Sequence, residues 1–226
     1  MGRPAGLGVV LCIALLCALA GCGPSPEDDA AGLREVFDAY RQALADGRAD
    51  DAAALFSSES LAPLATSRDL ALYATRPELD AAEPVDLMFA LILRVRSNAG
   101  DVAAMNPRDV AALLIQQRGM IGAEFDAAST LDAIEIEGDR ATANHAKHGR
   151  VVRRGLRFVR EREGWRQDLG AVREQMAADI ERMGGGKRRQ LYSTYHLVEI
   201  ATGVPLHASH FEPLARRPAQ SKTALR

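Results

Sequence analysis

Polar side chains at three positions fall on faces that are otherwise apolar, which makes them the first candidates for chemistry. Arg154 alternates with Val152 and Leu156 along one face of a predicted strand, and His145 follows alanines on the strand before it. Tyr40 lies on the apolar face of the first predicted helix. A guanidinium and an imidazole at the mouth of a cavity can bind an anionic or carbonyl ligand. We therefore take Tyr40, His145 and Arg154 as candidate pocket-lining residues.

Arg154 and Tyr40 also have purely structural interpretations. Arg154 would carry no function if it lay at a β-bulge, or if its long side chain reached solvent from the end of a strand. Tyr40 would be a core residue if its ring were buried and its hydroxyl hydrogen-bonded. Both interpretations stay open on the sequence alone.

The histidines fall in two close pairs, which raises the question of a metal site. His145 and His148 are three residues apart, as are His207 and His210, and His196 lies upstream of the second pair. In a strand, residues three apart point to opposite faces, and a metal site needs three or four converging ligands. Because no acidic cluster completes either pair, we predict no metal site and no cofactor.

The chain contains none of the common catalytic motifs. G-x-S-x-G, H-E-x-x-H, C-x-x-C and the P-loop are all absent from the sequence. The glycines at 184–186 precede Lys187, but Arg188 stands where a P-loop has the Ser or Thr that binds magnesium. This segment is better explained as a hinge. We assign no catalytic residue and favour a non-catalytic protein over an enzyme.

The N-terminal sequence is typical of an exported protein. Arg3 precedes an apolar segment of about 16 residues that ends in small side chains, as in the charged, apolar and cleavage regions of a signal peptide. This segment is shorter than the roughly 20 residues that a membrane-spanning helix needs, although a permanent anchor helix is the alternative. Its last residues, Leu19-Ala20-Gly21-Cys22, resemble the lipobox of bacterial lipoprotein signals.

The lipobox resemblance implies a lipid anchor and a location. In bacterial lipoproteins the cysteine sulfur is acylated, the signal peptide is cut off just before that cysteine, and the new amino terminus is acylated too. The cut would fall between Gly21 and Cys22, and palmitate-type chains on Cys22 would hold the mature chain on the membrane, since two or more chains bind stably. Gly23 stands where inner-membrane lipoproteins have Asp. This favours the outer membrane, with the domain facing the periplasm.

Cysteine and charge usage fit an exported, lipid-anchored protein. Of the three cysteines only Cys22 would remain after cleavage, so the mature chain could form no internal disulfide. Residues 22–139 have 9 Lys and Arg against 22 Asp and Glu, whereas residues 140–226 have 18 against 8. The basic half could contact anionic lipid or another polyanion, or the two halves could pack together and neutralise each other. Nucleic acid is not an expected partner.

Hydrophobic periodicity predicts helices in the first part of the chain. Residues 30–45 place apolar side chains at helical spacing, after a flexible, acidic and Pro-rich tether over residues 22–29. A short helix follows within residues 49–58, and about three more within residues 60–125. The apolar run 87–93 is too short to span a bilayer and predicts a core helix.

After about residue 130 the hydrophobic period changes to two, which predicts strands. Ile134 and Ile136 alternate with glutamates before Gly138-Asp139, and residues 151–169 repeat this pattern around a second Gly turn. We expect an antiparallel meander of three or four strands. A helix over 171–183 follows, then a segment over 187–200 that could be strand or helix, and a tail that we expect to be disordered.

Helices followed by an antiparallel sheet predict an α+β fold, with N-terminal helices packed on a curved sheet. Three segments resemble the nuclear transport factor two-like (SnoaL-like) superfamily: FDAYRQALADGRADDAAALFS, IEIEGDRATA and FVREREGWRQDL. That resemblance implies a cone-shaped, cystatin-like roll over residues 30–170, here with a helical insertion over 60–125. Residues 171–226 would form a C-terminal helical extension, and residues 1–21 the signal peptide.

Two functions lead, and a third, an envelope interaction module whose basic region 140–226 contacts anionic lipid or polymer, is also compatible with these features. The favoured one is a non-catalytic, membrane-anchored envelope module that binds an envelope protein or a small apolar or anionic ligand. The alternative is a SnoaL-like isomerase or hydrolase that acts on a small ligand in the cone pocket, because enzymes of that family use inward Asp and His residues as acid and base. A buried acid–base pair would favour the alternative, and a pocket lined only by aliphatic side chains would exclude it.

Overall fold

The first helix begins closer to Cys22 than its hydrophobic pattern predicts. In the computed structural model, which describes residues 25–117, 120–122, 124–183 and 185–217, helix α1 spans Pro26–Ala45. The Ser25 hydroxyl accepts the Asp28 backbone N–H, and the Asp28 carboxylate accepts the Ser25 backbone N–H, at 3.2 Å each. This capping box satisfies donors at the start of the helix. The predicted tether over residues 22–29 is therefore wrong for residues 26–29, which form the first turn of α1.

Short helices follow α1 and form a helical layer. The elements are α2 (Ala49–Ala53), α3 (Ser58–Leu61), α4 (Leu64–Tyr73), α5 (Arg76–Ala81), α6 (Pro84–Arg96), α7 (Ala99–Ala104) and α8 (Pro107–Ile115). Within residues 60–125 the hydrophobic pattern predicts α4, α6 and α8. It does not predict α5 and α7, which have six residues each and are too short to show a helical period.

The chain then forms the antiparallel meander that the alternating pattern predicts. Four strands pair in chain order: β1 (Ser129–Glu137), β2 (Arg140–Lys147), β3 (Arg150–Glu161) and β4 (Gly164–Gln167). Residues 55–57 extend the sheet beyond β4, because the Ser57 N–H donates to the Gln167 carbonyl and the Gln167 N–H donates to the Leu55 carbonyl, at 2.9 Å each. Helix α1 packs on β1 and β4. The α+β class and the antiparallel sheet are confirmed.

Two further helices follow the sheet. Helix α9 (Leu169–Met183) packs on β3, and α10 (Lys187–Thr202) shows that the ambiguous segment 187–200 is helical. Gly203, with a φ of 67°, ends α10 in the left-handed conformation that glycine adopts most easily. A 3₁₀ turn over Ala208–Phe211 comes next. Most of the tail that we expect to be disordered falls beyond residue 217, outside the described residues.

Helix α6 lies at the centre of the helical layer, packed against α4, α8, α9 and α10. All of residues 87–94 are buried, as a helix that is apolar on every side requires. The prediction of a core helix is confirmed. Across the described ranges, no helix combines the length and the apolar character needed to cross a membrane.

Candidate functional site

A cleft of about 690 Å³ opens between strands β2 and β3, helix α9 and the loop that precedes β1. Its volume falls within the range of small-molecule sites, roughly 300–1,000 Å³. The apolar side chains that line it are Met120, Val152, Val172 and Met176, and the polar ones are Glu124, His145, Lys147, Arg153, Gln175 and Asp179. His145 is the titratable member of this set that is fully buried, so the chemistry of the cleft depends on it.

Arg153 contributes a guanidinium to the cleft. His145 pairs with Arg153 across the β2–β3 ladder, and the register shifts on both sides of this pair. Gly155, with a φ of 71°, lies within one of these bulges. Each extra residue turns the side chains beyond it to the other face of the sheet, so strict alternation does not hold along the whole of β3. Arg154 falls where the register shifts, but its side chain lies outside the described part of the structure, so its place in the pocket stays a prediction.

Ion pairs occupy the rim of the cleft. Arg153 Nη1 lies 2.6 Å from Glu124 Oε1, and Lys147 Nζ lies 2.9 Å from Asp126 Oδ2. Arg153 also donates from Nη2 to the Ala171 carbonyl at 3.5 Å, which ties β3 to the start of α9. Both cations are therefore already paired with carboxylates, so the rim carries little uncompensated positive charge.

His145 is buried at the floor of the cleft, between aromatic side chains. Its ring centroid lies 4.7 Å from that of Phe125 and 6.2 Å from that of Phe37. Its Nε2 atom is 2.9 Å from the Ser129 hydroxyl, and its Nδ1 atom has no hydrogen-bond partner among the described residues. Burial, together with the nearby charge of Lys147, lowers the pKa of His145, so the ring is neutral at pH 7.

The Ser129 hydroxyl decides which nitrogen of the His145 ring carries the proton. Ser129 Oγ accepts the Asp126 backbone N–H at 2.9 Å and lies 3.3 Å from the Asp126 carboxylate. That carboxylate is ionised, because its hydrogen bond with Lys147 lowers its pKa, and so it can only accept. The hydroxyl proton goes to Asp126, and Ser129 Oγ accepts the Nε2–H of His145. We assign the lone pair to Nδ1, which leaves an unused acceptor on the ring.

Replacing His145 by phenylalanine should remove a pH dependence of stability. The unfolded state binds a proton on His145 as the pH falls below about 6.5, whereas the folded state, with its lowered pKa, does so only at lower pH. The wild-type free energy of unfolding should therefore fall between pH 7 and pH 5, by at most about 1.4 kcal/mol per pH unit from this group. Urea titrations over that range should give a flatter profile for His145→Phe.

His148→Asn is the matched control for that experiment. It changes an exposed histidine in the turn between β2 and β3, where the φ of 49° suits asparagine. Its profile should follow that of the wild type. Parallel profiles for the wild type and His145→Phe would contradict a buried, neutral imidazole.

Tyr40 lies behind the cleft, inside the core. Its ring packs edge-on against Phe56 and Phe125, with centroids 5.4 Å and 5.8 Å away. Its hydroxyl is buried and unpaired within the described ranges, and burial raises the pKa of Tyr40 above its ordinary value. The residues that line the cleft do not include it. Tyr40 is a core residue, without the hydrogen bond that a buried tyrosine usually has.

Tyr40→Phe is therefore expected to raise the free energy of unfolding, by roughly 1–2 kcal/mol, because it removes a buried hydroxyl that has lost its contact with water. Tyr195→Phe is the matched control, since the Tyr195 hydroxyl donates to Asp80 Oδ1 at 2.6 Å. That control should lower the free energy of unfolding by about 1 kcal/mol. Urea denaturation of both variants would measure these shifts, and a destabilised Tyr40→Phe would show that the hydroxyl is in fact hydrogen-bonded.

The other residues singled out by the sequence are either outside the described residues or not among those that line the cleft. Gly21 and Cys22 are outside the described residues, so cleavage and lipidation stay predictions. The His207 N–H donates to His210 Nδ1 at 3.0 Å in the last 3₁₀ turn. Within the ranges that the structure describes, no group of three or more His, Cys, Asp and Glu side chains is placed to hold a metal ion.

Sequence reasoning missed Ser129, Arg153 and Glu124, which complete the surroundings of His145. The D-x-x-S spacing of Asp126 and Ser129 is typical of a turn closed by side-chain hydrogen bonds, and it was the one signal available. The approach of Glu124 to Arg153 depends on tertiary structure, because 29 positions separate them in sequence.

No protein-family model matches this chain, and comparisons with curated proteins and with solved structures also gave no match.

Proposed function

We propose that this chain is a lipid-anchored protein of the bacterial cell envelope whose α+β domain binds a small ligand beside His145. One observation carries the proposal: the neutral imidazole at the floor of the cleft has a buried Nδ1 atom without a partner among the residues described. An unpaired buried polar atom costs roughly 1–3 kcal/mol. Because Nδ1 is buried, a ligand must displace the side chains that cover it before it can donate a hydrogen bond there. That hydrogen bond would remove the cost, and no covalent step is required.

The lining of the cleft favours an apolar ligand that carries one hydrogen-bond donor. Met120, Val172 and Met176 supply apolar contact, and methionine side chains adapt their shape to irregular ligands. The sequence features are also compatible with an anionic ligand. Lys147 and Arg153 give that option little support, since each is already paired with a carboxylate.

The lipobox supports the location of the protein. We propose cleavage between Gly21 and Cys22, acylation of Cys22, and attachment to the outer membrane with the domain in the periplasm, since Gly23 follows the cysteine. The partners would then be the membrane, through the lipid anchor, and an envelope protein or small ligand. A Cys22→Ala variant, compared with the wild type by intact mass spectrometry of membrane extracts, tests this. An unacylated wild type would refute the anchor.

We also propose that the sheet curves into the cone-shaped, cystatin-like roll of nuclear transport factor two-like proteins. Register shifts in the β1–β2 and β2–β3 ladders support curvature, because a bulged strand bends and twists. In this proposal residues 60–125 are a helical insertion into the roll and residues 171–226 a C-terminal extension.

An acid–base enzyme of the SnoaL-like kind is the second candidate. The hydrogen-bonded chain from Asp126 through Ser129 to His145 favours it, since this chain fixes the ring and leaves Nδ1 basic. His145 would take a proton from one atom of a bound ligand and return the same proton to another atom, as an isomerisation requires. A ligand recovered chemically unchanged after incubation with the protein would favour binding over catalysis.

A fluorescent amine tests the binding proposal. N-phenyl-1-naphthylamine has an apolar body with a single N–H donor, and its emission rises in apolar surroundings. We expect saturable binding, weakened about tenfold in His145→Phe through loss of one hydrogen bond. Gln175→Trp, which places a large side chain at an exposed cleft position, should abolish binding, and His148→Asn should leave it unchanged. Binding that is indifferent to both cleft variants would refute the site.

A further inference from the structure

The residue that we propose to be acylated lies only three positions before the cap of helix α1. Consecutive Cα atoms are 3.8 Å apart, so the Cα atoms of Cys22 and Ser25 are separated by about 11 Å at most. We infer that the end of the domain that carries the start of α1 rests on zwitterionic phospholipid headgroups, and that the ligand cleft lies at the opposite, membrane-distal end. This inference rests on the proposed lipid anchor.

The start of α1 is fixed to one end of the sheet. Asp29 forms an ion pair with Arg160 near the end of β3, and the Arg160 guanidinium lies 4.4 Å from the centroid of the Trp165 ring in β4. The Arg160 N–H also donates to the Asp139 carbonyl, in the turn between β1 and β2, at 2.8 Å. The turns at 138–139 and 162–163 therefore surround the point where the chain comes from Cys22, and we call this region the anchor end.

The cleft lies at the other end of the sheet. From Asp29, α1 runs along the sheet to Arg41, whose guanidinium donates to the Ala127 carbonyl just before β1 at 3.1 Å. Those twelve residues correspond to about 18 Å of helix at 1.5 Å per residue. The seven residues of β3 between Arg160 and Arg153 correspond to about 23 Å of strand. Two independent lengths thus place the cleft about 20 Å from the anchor end.

The charge of the anchor end selects the kind of membrane surface. Its exposed acidic residues are Glu27, Asp28, Glu137, Asp139 and Glu163, and its exposed basic residues are Arg140 and Arg162. This excess of negative charge repels anionic lipid over a distance of about 8 Å at physiological salt. Zwitterionic headgroups have no net charge, so this surface does not repel them. The cleft would consequently receive its ligand from the aqueous side and not from within the bilayer.

Depth-dependent quenching tests this orientation on the full-length lipoprotein. Acylation occupies the thiol of Cys22, so one introduced cysteine can be labelled with an environment-sensitive fluorophore. The positions are Arg162→Cys at the anchor end, Arg150→Cys at the cleft end and Arg188→Cys in the basic half, all exposed in the structure. The protein is reconstituted into phosphatidylcholine–phosphatidylethanolamine vesicles that carry a headgroup quencher. We expect the label at 162 to be quenched severalfold more than the labels at 150 and 188.

A linker variant separates the effect of the short connection from general membrane affinity. Insertion of a long Gly-Ser segment after Gly23 should bring the quenching at 162 down to the level at 150. Acylated protein whose label at 150 or 188 is quenched as much as that at 162 would overturn the orientation and leave the anchor standing. Protein without acyl chains in its intact mass would overturn both.

Discussion

Replacing Arg94 by methionine is expected to lower the free energy of unfolding by about 3 kcal/mol, because hydrogen bonds from a charged donor are worth roughly 1.5–3 kcal/mol each. Arg94 is buried at the end of α6. Its Nε donates to the Ala71 carbonyl at 2.8 Å, and its Nη2 donates to the carbonyls of Leu70 and Ala74 at 2.8 Å and 2.6 Å. Methionine would fill much of the same volume but donate to none of them.

The cost is high because these carbonyls lie at the end of a helix. The carbonyls of Ala71 and Ala74 have no partner within the helix, whereas the Leu70 carbonyl also accepts the Ala74 N–H at 3.1 Å. The Arg94 guanidinium acts as their cap and ties α4 to α6. Burial lowers the pKa of Arg94 to about 10, and the nearby charge of Glu212 opposes this, so the side chain remains a cation at neutral pH.

Urea denaturation would measure the effect, with two companion variants. Arg94→Lys keeps the charge but loses the fork of donors, so it should fall between wild type and Arg94→Met. Arg108→Met changes an exposed arginine on α8 and should shift stability by less than about 0.5 kcal/mol. An Arg94→Met protein as stable as the Arg108→Met control would mean that the carbonyls find other donors.

The parts of the fold that depend on local pattern could be predicted from the sequence. The apolar run in α6 was long enough for a core helix and too short for a bilayer, and its residues are buried. Alternation around Ile134 and Ile136 predicted strands, which pair as expected. The start of α1 had a local signal too, in the S-x-x-D spacing of Ser25 and Asp28, but its acidic, Pro-containing context favoured a tether.

The candidate site depends on register, which local pattern does not contain. The alternation of side chains between the two faces of a strand predicted His145 on the inward face, and its side chain is buried in the structure. The same alternation missed Arg153, because strict alternation assumes an unbroken ladder, and the bulges of β3 bring Arg153 to the cleft. The partnership of His145 with Ser129 required the β1–β2 pairing. The role of Arg94 required the packing of α4 on α6, since a lone arginine in an apolar run usually extends to solvent.

Phe89→Ala should have the largest effect, a loss of about 3–5 kcal/mol of unfolding free energy, which is typical of a large aromatic deleted from a core. Phe89 is fully buried in α6. The Arg173 guanidinium of α9 lies 5.5 Å from its ring centroid and 2.9 Å from Asp86 Oδ1, one turn earlier in α6. Phe89 thus supports the helix that forms one wall of the cleft.

This arrangement couples stability to binding in a way that a second variant can resolve. Phe89→Leu retains most of the apolar volume and should cost less than about 1.5 kcal/mol, with binding of N-phenyl-1-naphthylamine preserved. Phe89→Ala, assayed where it is still folded, should bind the amine more weakly, because the cavity lets α9 shift relative to β3. Phe89→Ala could instead lose stability but keep the wild-type affinity for the amine. In that case α9 would be held in place by its contacts with the sheet and not by the helical core. The hydrogen bond from Arg153 to the Ala171 carbonyl is one such contact.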